Sequence, residues 1–593
     1  MQLPLATAAL LAGQLLGQPA VATASNDPFQ AIDPQHWVNP DNMTWDDFKA
    51  PPGTKWNDPS RKGSSRNFNI ALVALDFPDK SFVATGKPHS NLFGNPQPNG
   101  ANVPRKDVPT FYRDMLNKPG ELNKGHTLHE YWMEDSQGRY GVELTSFGPY
   151  QMPWLSYEYG IDDFNPGACP PGKNCSQDVR HDGHDLWLAD VGNKTASSFE
   201  LVFYLTAGED ESSVWQEFGE MKFNSKEDIP DAWGPPKDVN ASLPNYGPTR
   251  YVDWTSWAAG AASWANAGDG STIQCESDGM GTFAHELSHL LFIGDNYNNP
   301  YGNPLRRAYT GPWSMMSRGT FNGPGGPHSR YHVPALNGGS MGSLHTVRDK
   351  LQLGLISNDS IIKISRDALA ASGPLVTRIT ARSVVSKQMG LRIEMDADRS
   401  PKCDIAKDVF CDGGGWEAYD VEVIDRMGAD SFQPDSGVMI SKTIKDGWTD
   451  PFQWTIDANP EDIKLVDFVR PNGTAAMITL GDYRQLADAL FHAGTRSGSQ
   501  YEHVDEPNGL HFYIINLQRD KSGVLSYDVG VRSLNSTNKS EYGVKLSSGR
   551  SSHDKPTEKG AVCTFDLTNN GTYASGEHTH KTWPHIWAPT FSG

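Results

Sequence analysis

Apolar positions along this chain change character near residue 366. Before it, continuous apolar runs alternate with stretches of helical pattern. Residues 69–78 (NIALVALDFP) form an unbroken run suited to a strand buried on both faces. Helical patterning follows around 110–116 and 126–135, then a strand at 139–144 (RYGVEL) and a second buried strand at 200–205 (ELVFYL). That alternation predicts an α/β (α+β) core with helices packed on a mixed sheet. After residue 366, short strand-like runs recur at 390–394, 418–424, 437–444, 510–517 and 527–531. Gly, Pro and Asp turns separate them, with one helical patch near 484–492. This pattern predicts a β-rich region, a sandwich or jelly roll, packed on the first domain.

The N-terminus sets the compartment. Residues 3–16 are apolar but too few to span a bilayer, and Ala22-Thr23-Ala24 fits the small-x-small cleavage rule. Residues 1–24 therefore read as a secretory signal peptide. No later stretch reaches the ~18 apolar residues that a membrane helix needs, so no membrane span is expected and the mature chain is extracellular. Residues 25–66, rich in Asp, Asn, Pro and Trp without periodicity, read as an irregular arm or short pro-segment. Six cysteines allow 15 pairings. Short loops favour Cys169–Cys175 and Cys403–Cys411, which leaves Cys275 with Cys563 by elimination. Nine Asn-x-Ser/Thr sequons, at Asn42, Asn174, Asn193, Asn240, Asn358, Asn472, Asn535, Asn538 and Asn570, predict a glycoprotein.

Charge excludes one class of partner. With 51 basic and 71 acidic side chains the net charge is −20, a surface that repels phosphate backbones, so no nucleic acid is expected.

The chemistry concentrates in residues 281–297 (GTFAHELSHLLFIGDNY). On a helix, residues four apart share a face, so His285 and His289 can direct both imidazoles at one cation. Neutral imidazole suits Zn²⁺. Glu286 sits one position round, beside the metal, where it can take a proton from water and pass it to a leaving amine. The competing reading is a buried helix whose histidines make ordinary hydrogen bonds. A third ligand is needed. Thermolysin-like enzymes take a Glu from a later helix, but no Glu occurs between Glu286 and Glu394. Metzincins take theirs six residues after the second His, which is Asp295 here, and follow it with a Met turn. Residues 311–319 (GPWSMMSRG) have that character, with Met316 as the floor of the site.

Together these segments resemble the M6 metalloendopeptidases, the immune inhibitor A-like secreted zinc proteases. The resemblance spans roughly 68–445. It runs through Asp76-Phe77-Pro78-Asp79, Tyr131 with Ser136-Gln137-Gly138-Arg139-Tyr140, Ala207–Ser213, His285–Tyr297, Trp313–Gly319 and Asp430–Ile440. The family pattern HExxHxxGxxDxY falls on His285, Glu286, His289, Asp295 and Tyr297. It implies a metzincin-like zinc protease domain at 67–365, followed by the β-rich region at 366–593. Phe292 stands where the family carries Gly, and Gly294 is the residue available to take over that turn. Tyr297, His328, Tyr331 and His332 are candidate transition-state or substrate contacts. Arg318 stands where some metzincins place a Tyr beyond the turn Met. The resemblance also allows Ca²⁺ at Glu209-Asp210-Glu211, against the competing reading of a solvated loop.

The residues thus point to a secreted zinc-dependent endopeptidase acting on protein or peptide substrates through a metal-activated water and the base Glu286. The alternative is a secreted binding protein on a decayed M6-like scaffold, gripping glycan or protein through its β-rich region.

Overall fold

The computed structural model describes residues 31–160, 169–214, 221–238, 242–335 and 341–536, with the backbone of two further strands, Val544–Ser547 and Asp566–Asn569. The signal peptide, Asn240, Asn538, Asn570 and Cys563 lie outside the described residues. Among the described residues no helix is long and apolar enough to cross a membrane.

The apolar run near the start is the centre of the first sheet. β1 (Arg66–Asp76) lies between two parallel neighbours, β2 (Tyr140–Gln151) and β3 (Leu201–Thr206). Ile70 through Leu75 are fully buried, because parallel strands need crossover connections and helices then cover both faces. β4 (Asn266–Gly268) and β5 (Ser271–Cys275) form a hairpin that adds β5 parallel to β3 and leaves β4 as an antiparallel edge. The order is β2-β1-β3-β5-β4. The helices α1 (Val108–Asn117), α2 (Leu128–Asp135) and α3 (Val179–Val191) belong to the crossovers. α3 carries no apolar pattern that foretells it. It buries only Val179, Gly183 and Trp187, one residue per turn.

A tight link from the end of β5 leads into α4 (Met280–His289), whose residues 280–288 are all buried. Phe283 packs on Phe203 of β3 at 5.4 Å between ring centroids, with Ala284 and Leu287 in the same core. A helix buried this deeply has few ways to shift. Gly281 is required within it, since a Cβ there would meet Thr320 O at 2.3 Å.

The second half is β-rich as expected. α5 (Val347–Gln352) precedes β6 (Ile361–Ser365), α6 (Arg366–Ser372), β7 (Leu375–Thr380), β8 (Gly390–Glu394), β9 (Ala418–Ile424), β10 (Gly437–Thr443), β11 (Gln453–Thr455), β12 (Glu502–Asp505), β13 (Leu510–Arg519) and β14 (Leu525–Ser533). They form two sheets, β11-β10-β9-β8-β6 and β12-β13-β14-β7. Leu391, Ile393, Val421 and Ile440 from one, and Ile379, Phe512, Ile514 and Val529 from the other, share one buried cluster, which makes the pair a sandwich. β6, just ahead of residue 366, already pairs in the second sheet. The helical patch near 484–492 is a short 3₁₀ turn, Tyr483–Asp488.

Residues 31–65 are irregular but packed against both halves. Asp33 accepts hydrogen bonds from Ala493 N (3.0 Å) and Tyr527 OH (2.8 Å), Val38 N–H donates to Pro434 O, and Met43 O accepts from Gly325 N. Cys169–Cys175 and Cys403–Cys411 are disulfides. Cys275 is a buried thiol, 3.2 Å from Thr206 Oγ1, and its partner by elimination, Cys563, lies outside the described residues.

Candidate metal centre

Helical pitch places His285 and His289 on one face of α4, with Nε2 atoms 3.1 Å apart. Each ring is oriented from behind. His285 Nδ1 donates to Met315 O and His289 Nδ1 to Ile293 O, both at 2.8 Å. A carbonyl only accepts, so both protons sit on Nδ1 and both Nε2 atoms face the same point. Asp295 Oδ1 completes the group, 3.0 Å from His285 Nε2 and 3.3 Å from His289 Nε2. Three basic atoms this close require positive charge among them. The surrounding charges make the same demand. Burial pulls the His289 imidazole down, yet its hydrogen bond to Asp295 and the charges of Glu286 and Asp295 outweigh that and push it up to about 9. Burial likewise raises the Asp295 carboxyl, but His285 and His289 hold it far below the usual carboxylate range. Two imidazoles and one carboxylate are a donor set that Zn²⁺ takes.

Glu286 lies one position round, with a carboxylate oxygen within 4.8 Å of the imidazole nitrogens. Its Oε2 is buried without a hydrogen-bond partner among the described residues. Burial raises its carboxyl, against the pull of His289 and His285, which favours proton uptake.

The chain turns back after His289 on Phe292 itself, whose φ is +72° and whose N–H donates to His289 O at 3.0 Å. The expectation that Gly294 takes over the left-handed turn is corrected here. Gly294 serves close approach instead, because a Cβ would lie 2.9 Å from Gly447 O and 3.2 Å from Trp448 Cε3. Its N–H donates to Gly447 O at 2.7 Å. Asn296, on the other side of Asp295, donates to Gln453 O (2.9 Å) and accepts from Phe452 N (3.0 Å) and Gln453 N (3.2 Å). The β-rich region thus holds the loop that carries Asp295 from both flanks. Met315 and Met316 are fully buried, and Met316 O accepts from Asn296 N at 2.7 Å.

Of the candidate contacts, Tyr297 is beside the centre, its ring centroid 6.4 Å from that of His285. The Arg318 guanidinium lies 4.1 Å over the Tyr297 ring and 5.4 Å from Tyr251, and Arg250 lies 5.3 Å from Tyr251. Arg250 and Tyr251 carry no sequence signal of this role. Arg318 stands where some metzincins place a Tyr, a departure that carries no such signal either. His328 pairs with Asp467 at 3.0 Å, and Tyr331 packs with Phe93 and Trp233, with the His332 ring edge-on to it. Their contacts thus lie with other clusters. Glu209, Asp210 and Glu211 are buried, which sets aside the solvated loop. Asn91 and Asn95 bind Glu209, Ala265 N–H binds Asp210, and Arg250 binds Glu211.

Behind α4, Ser288 Oγ is 3.0 Å from His345 Nε2, and His345 Nδ1 is 2.6 Å from Asp135 Oδ2. Lys350 Nζ is 2.9 Å from Asp135 Oδ1. The spacing is that of a nucleophile triad, but all four residues are fully buried and Ser288 Oγ donates to Ala284 O at 2.7 Å.

A two-imidazole, one-carboxylate cluster with a spare buried glutamate, on a helix leaving a mostly parallel sheet, marks the metallopeptidase class of site. The comparisons agree with that class. The chain is 62% identical over 596 residues to a protein of Arthroderma benhamiae named "Putative secreted metallopeptidase", with 96% of this chain and 87% of that protein covered. This chain belongs to the same secreted metallopeptidase family. A family model described as a middle domain (ARB_06334_M) matches residues 352–534, which contain the β-sandwich.

Proposed function

We propose that this chain is a secreted zinc-dependent endopeptidase of the M6 group with a metzincin-like catalytic domain. The observation that carries this reading is the convergence of His285 Nε2, His289 Nε2 and Asp295 Oδ1 within 3.3 Å beside the buried, unpartnered Glu286 Oε2. Zn²⁺ bound by those three residues supplies a Lewis acid that makes water nucleophilic near neutral pH and polarises a carbonyl. Glu286 takes the proton of the attacking water on Oε2 and returns it to the leaving amine nitrogen. Met316 floors the site. Tyr297, whose ring lies under the Arg318 guanidinium and beside that of His285, is assigned the donor to the developing oxyanion. Asn296 and Gly294 fix the direction from which Asp295 approaches.

Purified protein should contain about one zinc per chain and cleave casein in a chelator-sensitive way. Glu286→Gln should retain the zinc and lose roughly 10²–10⁴-fold in kcat. Substantial proteolysis by that variant rejects the assignment of Glu286, and absence of both zinc and cleavage in the natural protein rejects the whole reading.

A further inference from the structure

Phe292 holds a backbone conformation that its side chain does nothing to justify. A φ of +72° is strained for a bulky residue and free for glycine. Core packing is the usual reason to keep a large residue in such a place, yet Phe292 is 76% exposed. An exposed aromatic held under strain between His289 and Asp295 calls for a functional reason.

A second exposed aromatic stands at the same edge. Trp448 is 59% exposed, and its backbone passes so close that a Cβ on Gly294 would lie 3.3 Å from Trp448 Cα. Its loop is firmly held. Asp446 accepts from Trp448 N (2.9 Å) and Thr449 Oγ1 (2.7 Å), while Arg348 Nη2 donates to the carbonyls of Ile444, Lys445 and Asp446 at 3.0 to 3.2 Å. Gln352 ties the two loops together. Its Nε2 donates to Phe292 O at 2.9 Å, and a Cβ on Gly447 would strike the same amide at 2.2 Å.

We infer that Phe292 and Trp448 form a rigid aromatic rim beside the metal centre that takes a bulky apolar side chain of the substrate and so sets cleavage preference. The inference rests on the peptidase reading above. Fixed aromatic rings offer large contact area at little entropic cost, and exposure leaves them available to a ligand. Their place next to the ligand loop puts that contact within a few residues of the scissile bond.

The test is a panel of peptides that differ at one position, carrying Phe, Leu, Ala or Asp. In Phe292→Gly and in Trp448→Ala, the Phe-over-Ala ratio of kcat/KM should fall by at least about tenfold, mainly through KM. Phe292→Trp should keep the preference. Zinc content should not change, and the thermal midpoint of Phe292→Gly should equal or exceed that of the natural protein, because glycine relieves the strain. A purely structural residue would not give that combination. Binding of the same peptides to Glu286→Gln, followed by tryptophan fluorescence, separates this inference from the parent reading. Preferential binding of Phe peptides without cleavage by the natural protein leaves the rim and removes the peptidase. Equal binding of Phe and Asp peptides, or unchanged discrimination in both rim variants, overturns the rim.

Discussion

The side chain of Asn296 reads the backbone of Gln453 as a strand would, donating to its carbonyl at 2.9 Å and accepting from its N–H at 3.2 Å. The two residues are 157 positions apart. Asn296 follows the candidate ligand Asp295, and Gln453 opens β11 at the edge of the sandwich. The β-rich half is therefore part of the metal centre's frame. Asn296→Ala should cost about 3 kcal/mol, since it strips several buried backbone groups of their partners. It should also weaken zinc binding by roughly 10–100-fold, the usual effect of losing support behind a ligand. Thermal unfolding and competitive metal titration check the two effects. Natural metal affinity in this variant would show that Asp295 is positioned without the sandwich.

The Nδ1 protons of His285 and His289, held by Met315 O and Ile293 O, turn both Nε2 atoms toward Asp295. In the proposed site Asp295 supplies the third donor. Asp295→Ala should leave a two-ligand site and lower zinc affinity far more than Asn296→Ala does, while the helix content of the chain stays unchanged. Circular dichroism with metal analysis distinguishes ligand loss from unfolding.

His492 couples the arm to the sandwich. Its Nδ1 is 3.2 Å from Asp33 Oδ2, and its Nε2 is 3.0 Å from Asp435 Oδ2. Burial lowers its pKa, but these two carboxylates prevail and push it up to about 9. A histidine whose folded pKa is raised contributes stability that is complete below pH 6.5 and is lost as pH rises through 9. The span corresponds to roughly 3 kcal/mol. Denaturation midpoints should decline between pH 6.5 and 9, and His492→Gln should flatten that decline. Identical pH profiles for the two proteins would exclude His492 as its source.

The buried Ser288, His345 and Asp135 series should be inert as a nucleophile. A serine-directed phosphonylating reagent should leave activity intact, because no part of the series reaches solvent and Ser288 donates to Ala284 O. Its value is structural. Burial raises the Asp135 carboxyl, but Lys350 and His345 outweigh this and bring it down to about 2. Asp135→Asn leaves the Lys350 charge buried without its partner and should cost roughly 3–5 kcal/mol by chemical denaturation. A loss under about 1 kcal/mol would mean that the pair contributes little.

Much of this protein is legible without its structure, because the relevant information is local. The run through Ile70 and Leu75 marks a doubly covered strand, and the short alternating segments after residue 366 mark the sandwich. The four-residue spacing of His285 and His289 places both imidazoles together by helical pitch alone. α3 escapes such reading because its buried face is one residue per turn on a polar helix. Phe292 reads as an obstacle where glycine is expected, and only its φ in the structure shows the turn being made regardless. The route of Asp295 to the imidazoles, the Arg318–Tyr297 stack and the buried Asp135–Lys350 pair were decided by tertiary structure. The Asp135–Lys350 pair joins segments 215 positions apart, and the other two depend on how the loop after α4 is folded back. Periodicity reports which face of an element is buried and carries no record of what lies against it.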